Sequence, residues 1–166
     1  MATRWTTRST KARRAAPYAG AALAVTAAAL AGARAVGPAG PWYRSLDKPR
    51  WQPPPWVFPA VWTPLYASIA WSAGHALGRV DGRERTALAA AYGTNLVVNA
   101  GWTWLFFGLR SPAAGVAGCL LLDADTLRLI RRTARRDPAA ATALAPYAAW
   151  CLFATALSAS LARRNG

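Results

Sequence analysis

The sequence has few of the side chains that most enzymes and metal centres need. It contains 6 acidic residues, 1 histidine and 2 cysteines in 166 residues. One histidine is too few for most metal centres, and no Ser-His-Asp order, HExxH, CxxC or phosphate-binding glycine loop occurs. Cys119 and Cys151 lie in apolar stretches without a paired spacing, which predicts two packing residues and no disulfide framework or metal site. Catalysis would therefore need aromatic redox chemistry or a cofactor.

The charge is one-sided, because 20 Lys and Arg stand against 6 acids, yet 54% of the residues are hydrophobic. The basic residues fall in clusters separated by nearly uncharged stretches, each about one bilayer span long. A nucleic-acid-binding protein does not need long apolar runs between its arginines. The pattern favours an integral membrane protein whose partner is the lipid bilayer, and it argues against nucleic acid. The clusters are Arg4 to Arg14, Arg44 to Arg50, Arg79 to Arg85, Arg128 to Arg136, and Arg163 with Arg164.

A hydrocarbon core about 30 Å thick takes about 20 helical residues to cross, and five segments supply that length. The sequence therefore predicts an all-α membrane protein, a bundle of five transmembrane helices in one domain, residues 17–164, preceded by a basic tail, residues 1–16. The positive-inside rule places the N-terminus in the cytoplasm and the C-terminus outside. The predicted helices are Pro17 to Val36, Val57 to Leu77, Thr86 to Leu109, Ala113 to Ile130 and Ala140 to Ala162.

The first predicted helix has an alternative identity. Arg13 and Arg14, a short apolar run and the small residues around Arg34 also fit a cleavable signal peptide. We predict that the helix is retained, because its removal would leave a four-helix remnant.

Residues 38–56, between the first two predicted helices, combine large aromatic residues with six prolines. Trp42, Tyr43, Trp51 and Trp56 are the aromatic residues. Proline favours extended and turn conformations, so the segment is predicted to be neither helix nor disordered linker. It can act as a lid over a binding site or as an interfacial aromatic belt, and composition alone favours the belt.

Aromatic and amide residues recur at helical spacing on three of the predicted helices. Amides are costly against lipid, so the stripe that carries Asn95 and Asn99 must face inward. They predict a cavity walled by indoles with amides as polar handles, suited to a large planar aromatic guest. Ordinary helix packing explains the same stripes equally well. The stripes are Phe58, Trp62 and Tyr66, with Trp71 and His75 on the opposite face; Asn95, Asn99, Trp102 and Phe106; and Tyr147, Trp150, Ala154 and Leu157.

The remaining polar residues of the predicted helices have structural explanations. His75 lies near the end of its helix and is predicted to be a packing or interfacial residue, not a haem ligand. Asp123 and Asp125 would be functional by default inside a membrane span. However, Asp125 and Arg128 are three residues apart and can pair on one helix face, and we predict that structural pair.

Four blocks of residues occur in the order and at the spacing of a known family. They are Trp42 to Pro54 (WYRSLDKPRWQPP), Val61 to Tyr66 (VWTPLY), Asn99 to Gly108 (NAGWTWLFFG) and Pro146 to Thr155 (PYAAWCLFAT). They resemble the signatures of the TspO/MBR family, which comprises the tryptophan-rich sensory proteins and the translocator proteins, or peripheral-type benzodiazepine receptors. The likeness extends from the first helix to about Arg164.

The resemblance implies a five-helix bundle, commonly a homodimer, with a pocket beneath the first loop. The expected location is the bacterial cell membrane. Family pockets take porphyrins, haem and benzodiazepine-site ligands. The expected function is a membrane receptor or sensor that binds a tetrapyrrole (protoporphyrin IX or haem) as ligand, with no required cofactor and no metal site. The alternatives are a porphyrin transporter and a light-dependent porphyrin-degrading enzyme. Carried over by motif, the ligand-binding residues are Trp42, Phe58, Trp62, Tyr66, Asn99, Trp102, Trp150 and Ala154, and the two associated with degradation are Trp62 and Trp150.

The sequence also departs from the family pattern at four positions. Ser158 stands where the family has Asn, and Gly118 where an acidic residue is common. Asn95 replaces the usual Gln, a shorter amide. Ala159 takes the place of the tyrosine of the cholesterol-associated motif, which argues against sterol binding by that route.

Overall fold

All regular structure that the computed structural model describes, over residues 3–37 and 40–166, is helical. Side chains are described from residue 15 onward, and Pro38, assigned by sequence to the first loop, lies outside the described residues. The predicted all-α class is confirmed. In chain order the elements are α1 (Thr3–Val36), α2 (Gly40–Ser45), α3 (Val57–Leu77), α4 (Gly82–Thr103), a π-helical segment (Trp104–Gly108), α5 (Pro112–Ala134), α6 (Pro138–Ala143) and α7 (Ala145–Asn165).

Each predicted helix is observed, but only α3 has its predicted bounds. Helix α3 begins and ends at the predicted residues. The third predicted helix corresponds to α4 plus the π-helical segment, and the fifth to α6 plus α7. Helix α1 begins at Thr3 and not at Pro17, so it includes most of the predicted basic tail. No glycine or proline stands between Thr3 and Ala16 to end it.

Two stretches of the described chain are long and apolar enough, by length and composition alone, to cross a membrane: Ala15–Val36 and Pro138–Asn165. Helices α3, α4 and α5 have 21, 22 and 23 residues, which is sufficient length. They carry polar or charged residues within that length, including His75, Asn95 and Asp123. Such side chains lower the average hydropathy, so these three helices are less apolar than the two stretches named above.

The loop between α1 and α3 is partly helical, which corrects the sequence prediction. Residues Gly40–Ser45 form α2, and the Ser45 hydroxyl donates a hydrogen bond to the Trp42 carbonyl at 2.8 Å. Pro41 falls in the first turn of this helix, where a missing N–H costs nothing. The rest of the loop has the predicted irregular and turn structure, for example the bond from the Gln52 amide to the Pro49 carbonyl at 3.0 Å.

Two helix starts explain how the chain reverses at opposite ends of the bundle. Before α5, the Ser111 side chain accepts a hydrogen bond from the Ala114 amide at 3.2 Å. Before α6, Asp137 accepts one from the Ala140 amide at 3.1 Å. A proline follows each capping residue, which is the favoured N-terminal pattern.

The apolar interior has two parts. The larger cluster joins α1, α3, α4, α5 and α7 through residues such as Ile69, Leu88 and Tyr147. The smaller cluster centres on Phe106, Leu157 and Leu161, and the loop before α3 packs against it. This smaller cluster lies at the end of the bundle where that loop crosses, and it borders the cavity described next.

Candidate ligand-binding cavity

A cavity of about 540 Å³ lies between α1, α3, the end of α4 and α7. Residues 40–56, which we call the covering loop, contribute Tyr43, Gln52 and Pro55 to its wall. The lining is almost entirely apolar and aromatic. The principal lining residues are Ala29, Gly32, Ala33, Tyr43, Gln52, Phe58, Trp62, Tyr66, Trp102, Thr103, Phe106, Phe107, Trp150, Phe153, Ala154, Leu157 and Ser158.

Three indoles from three helices face this space. Trp62 on α3 is stacked on Tyr66, with ring centroids 5.0 Å apart. Trp150 on α7 is stacked on Phe153 at 5.0 Å, and Trp102 on α4 lies 6.2 Å from Phe106. Because these rings are held by other rings, their positions in the cavity wall are fixed before a guest enters.

The covering loop is fastened to the bundle at several points. Tyr43 lies 5.4 Å from Phe107, and Trp51 lies 5.8 Å from Phe153, measured between ring centroids. Lys48 stabilises the loop internally, because its ammonium donates to the carbonyls of Arg44 and Leu46 at 2.9 and 3.0 Å. The loop therefore acts as a cover over the cavity.

Two other aromatic residues of the covering loop are exposed. Trp51 and Trp56 are 50% and 70% exposed, as aromatic residues at a membrane interface would be. Tyr43 instead lines the cavity, and burial raises the pKa of its phenol, so the ring presents a neutral hydroxyl there. Tyr43 therefore belongs to the cover, and the interfacial belt stays a prediction for Trp51 and Trp56.

The side-chain amides of Asn95 and Asn99 are linked through the Tyr147 hydroxyl and do not point freely into the cavity. The Tyr66 hydroxyl donates to the Asn99 side-chain oxygen at 3.3 Å, and the Asn99 amide donates to the Tyr147 hydroxyl at 3.3 Å. Tyr147 donates to Asn95 at 3.1 Å, and Asn95 donates to Asp125 at 3.1 Å. This hydrogen-bonded chain engages both amides behind the cavity wall, so the structure does not place the expected polar handles in contact with the cavity.

Two other polar atoms are buried without a protein partner among the described residues that line the cavity. They are the side-chain oxygen of Gln52 and the indole nitrogen of Trp102. A buried polar group without a partner is costly, so the Gln52 oxygen is a candidate contact for a ligand or a water molecule. Gln52 supplies this acceptor from the covering loop, whereas the edge of the Trp102 ring packs against Gly118 of α5.

Six of the eight ligand-binding residues predicted from sequence line the cavity: Phe58, Trp62, Tyr66, Trp102, Trp150 and Ala154. Two do not. Trp42 packs behind the wall, with its ring centroid 5.6 Å from that of Phe106, and its neighbour Tyr43 takes the lining position. Asn99 is 2% exposed and lies one hydrogen bond behind Tyr66.

Several lining residues were missed by the sequence prediction. The wall formed by α1 is smooth because Gly32 and its neighbours are small; a Cβ at Gly32 would lie 3.0 Å from the Thr103 hydroxyl. The alanine and glycine content of α1 was the available signal. Tyr43 and Gln52 lie within the recognised motif, but spacing alone could not show which loop residues point inward.

The only histidine lies far from this lining. His75 Nδ1 is 2.6 Å from an Asp137 carboxylate oxygen, and its ring is stacked on Trp71 at 4.4 Å. Arg79 lies 3.2 Å from the same carboxylate oxygen. Burial alone would raise the pKa of Asp137, but the Ala140 amide, His75 and Arg79 outweigh it and hold that pKa below its usual 3.8. His75 is a packing residue, as predicted.

The other structural assignments made from the sequence are also confirmed. Arg128 and Asp125 lie 3.8 Å apart as the expected pair, and Cys119 and Cys151 are buried and unpaired. Asp123 accepts a hydrogen bond from Thr155 at 2.6 Å, which joins α5 to α7.

Gly118 explains one departure from the family pattern. A Cβ at this position would lie 3.2 Å from the Trp102 ring and 3.4 Å from the Trp102 Cα. The absence of a side chain therefore lets Trp102 sit tightly against α5. An acidic residue does not fit there without displacing one of the three indoles.

The fold and the cavity together define a class of protein, an all-helical bundle with a covered, indole-walled cavity. Comparison with known proteins agrees, because the TspO/MBR family model matches residues 20–164. The chain belongs to the TspO/MBR family. The family is membrane-integral, and its sensory and translocator members support a role as a membrane sensor or receptor.

Individual relatives cover most of the chain. It is 35% identical over 133 residues to the tryptophan-rich protein TspO of Chlorobaculum tepidum, covering 77% of this chain and 82% of the relative. It is 36% identical over 141 residues to protein CrtK of Rhodobacter capsulatus, covering 84% and 88%. The translocator protein of Homo sapiens is 31% identical over 126 residues, covering 75% of each chain.

Proposed function

We propose that this chain is a membrane receptor or sensor that binds a tetrapyrrole, protoporphyrin IX or haem, in the aromatic cavity. The observation that carries the proposal is the convergence of Trp62, Trp102 and Trp150 on one covered space of about 540 Å³. That volume lies within the range of about 300–1,000 Å³ typical of small-molecule sites. Occupancy of the cavity would be reported through the covering loop, three of whose residues contact the same space.

The binding energy would come from burial and stacking. Each Å² of apolar surface removed from water contributes about 25 cal/mol, so even a half-buried macrocycle gains several kcal/mol before ordering costs. The indole faces favour a planar aromatic ligand over a flexible aliphatic one of equal area. The unpartnered oxygen of Gln52 would orient the ligand by accepting a hydrogen bond.

The lining residues favour a metal-free porphyrin over an iron-ligated one. They include no histidine, cysteine or methionine in the described part of the chain. The single histidine is engaged by Asp137 elsewhere. Haem in this cavity would therefore bind through its ring faces, and protoporphyrin IX should bind at least as well.

The proposal includes five membrane spans. The helices have the required length, and the polar residues of α4 that seem to oppose insertion are turned inward, because Asn95 and Asn99 are 0% and 2% exposed. Apolar side chains such as Val97 and Leu121 are exposed instead, at 71% and 57%. Lipid contact accounts for that exposure.

The orientation and the assembly are also part of the proposal. The arginine clusters after α3 and at the end of α5 lie at the end of the bundle opposite the cavity, so the positive-inside rule places that end and the N-terminus in the cytoplasm. We place the chain in the bacterial cell membrane as a homodimer, as the family resemblance implies.

The decisive test is protoporphyrin IX binding by a variant that lacks two cavity indoles. Trp62→Phe with Trp150→Phe should weaken binding about tenfold, because each aromatic contact contributes about 0.5–1.5 kcal/mol beyond area. Binding is followed in the dark by the absorbance of the porphyrin, so that loss of tryptophan does not remove the signal. The matched control is Trp56→Phe with Trp71→Phe, which removes two indoles that do not line the cavity. Equal affinity in both double variants would disprove the site.

One observation favours a catalytic alternative. Trp62 is stacked on Tyr66 with an interplanar angle of 29°, so a second oxidisable ring lies in contact with this indole. A light-dependent porphyrin-degrading enzyme would consume many equivalents of protoporphyrin IX per protein under illumination and oxygen. In that case the same Trp62 and Trp150 variants would lose product formation while retaining most of their affinity. Product formation that persists without these indoles would exclude this alternative.

A further inference from the structure

A second concave site lies at the end of the bundle opposite the aromatic cavity. It is a groove of about 410 Å³ between the first turns of α4 and the last turns of α5. Leu88, which is 2% exposed, lies at its base. We call it the arginine groove; its lining residues are Glu84, Leu88, Arg128, Arg131, Arg132, Arg135 and Arg136.

The positive charge of the arginine groove is not balanced within the protein. All 6 acidic residues of the chain are among the described residues. Of these, Glu84 pairs with Arg136, and Asp125 pairs with Arg128. Among the described residues no carboxylate lies within ion-pair distance of Arg131, Arg132 or Arg135. Like charges on adjacent helical positions repel, so the groove favours an external anion.

The face of α5 that carries the arginines also carries an exposed apolar side chain. Arg128, Arg132 and Arg135 recur at four and three residues, so they share one face of α5. Leu121 precedes Arg128 by two helical turns on that face and is 57% exposed. A ligand that is anionic at one end and apolar at the other matches this arrangement, and a free inorganic anion matches only half of it.

We propose that the arginine groove binds the phosphodiester headgroup of an anionic phospholipid, with an acyl chain along the Leu121 face of α5. Guanidinium groups bind phosphate oxygens in a bidentate manner and are weakly hydrated, which suits a site at the membrane boundary. Basic pockets at the cytoplasmic ends of transmembrane helices hold such headgroups. This site requires membrane insertion but does not depend on which ligand the aromatic cavity takes.

The test is competition between two lipids for the purified full-length chain. Native mass spectrometry in a neutral detergent measures adducts formed from an equimolar mixture of phosphatidylglycerol and phosphatidylcholine. The variant is Arg131→Gln with Arg132→Gln and Arg135→Gln. The matched control is Arg44→Gln with Arg50→Gln and Arg163→Gln, which removes the same charge at the other end of the bundle and leaves every ion pair of the described residues intact.

The wild-type chain should prefer phosphatidylglycerol, and the groove variant should lose about tenfold or more of that preference, since each basic residue near an anionic headgroup contributes about a fivefold factor. The control should keep it. Equal loss in both variants would show a general effect of net charge and overturn the proposal. Displacement of phosphatidylglycerol by equimolar inorganic phosphate would identify a soluble anion as the occupant. Arginine-dependent binding of a short oligonucleotide, without lipid preference, would also overturn it.

Discussion

Asn165 holds the covering loop by bonding both backbone groups of a single residue. Its side-chain oxygen accepts from the Asp47 amide at 2.8 Å, and its side-chain nitrogen donates to the Asp47 carbonyl at 3.0 Å. The residues are 118 positions apart, so this contact joins the loop to the end of α7. Any guest that leaves through the covering loop must disturb it.

Replacement of Asn165 by alanine should therefore speed dissociation of protoporphyrin IX about fivefold to tenfold, because two hydrogen bonds contribute about 0.5–1.5 kcal/mol each. Stopped-flow displacement measures the rate. Arg164→Ala is the control, since it removes only an exposed ion pair to Asp47 at 3.3 Å, which contributes little. An unchanged rate in Asn165→Ala, or the same increase in the control, would contradict the role of this clamp.

Helix α3 approaches α1 closely at Gly74. A Cβ at this position would lie 2.9 Å from the Cα of Tyr18, a backbone atom that cannot move independently of its helix. The two helices can pack at this distance only because Gly74 has no side chain. This contact fixes the position of α1, whose small residues form one wall of the cavity.

Gly74→Ala should lower the free energy of unfolding by about 1–3 kcal/mol, the cost of overpacking a close contact. Gly20→Ala is the matched control, because nothing lies within 4 Å of a Cβ there. The control should be neutral or slightly stabilising, since alanine favours a helix by about 1 kcal/mol over glycine. Thermal unfolding in detergent compares them; equal stability of the two variants would refute the close packing of α1 on α3.

The π-helical segment shows how one local irregularity shapes the cavity. The Leu109 amide bonds the Trp104 carbonyl at 2.9 Å, and the Ser111 amide bonds the Phe106 carbonyl at 3.1 Å, five residues apart in each case. The wider turn lets two consecutive residues, Phe106 and Phe107, both face the cavity. π-Helical turns of this kind often mark functional sites.

Across the whole molecule, the two ends of the bundle differ in character. At the end with the cavity the helices are separated by an apolar space. At the opposite end a polar network closes the bundle: Ser72 donates to the Ala140 carbonyl and bonds the Tyr92 hydroxyl, both at 2.7 Å, and Tyr92 bonds Thr133 at 3.3 Å. Asp137, with His75 and Arg79, extends this network into α6.

This network predicts a pH dependence of stability. The pKa of Asp137 is lower in the folded chain than its usual 3.8, so the unfolded chain binds the proton more tightly. The stabilisation is therefore present above pH 3.8 and is lost as the pH falls below that value through the depressed pKa. Asp137→Asn should lower the free energy of unfolding at pH 7 by about 2 kcal/mol. This difference from wild type should become smaller as the pH falls below 3.8.

Thermal unfolding in detergent from pH 7 down to pH 3 measures this difference. Asp47→Asn is the control, because Asp47 is 65% exposed and its ion pair with Arg164 contributes little. A difference in stability between Asp137→Asn and wild type that does not change with pH would contradict the predicted pH dependence.

How much could be predicted depended on the kind of contact involved. Helix α3 was predicted at its exact bounds because prolines precede it and a glycine follows it. Trp62, Trp102 and Trp150 were predicted to converge because helical spacing puts aromatic residues on one face. Helix α2 was missed because six prolines in the segment suggested extended structure, whereas a proline in a first turn is compatible with a helix.

The sequence by itself determined the all-helical class, the family and most of the cavity wall, because periodicity and motif spacing are local properties of the chain. Tertiary structure alone decided the positions that depend on contacts between distant residues. Asn99 is withdrawn from the cavity because Tyr66 and Tyr147, on two other helices, satisfy its amide. Tyr43 replaces Trp42 at the wall because α2 turns it inward against Phe107, and the arginine groove exists because α4 and α5 bring Glu84 and Arg136 together.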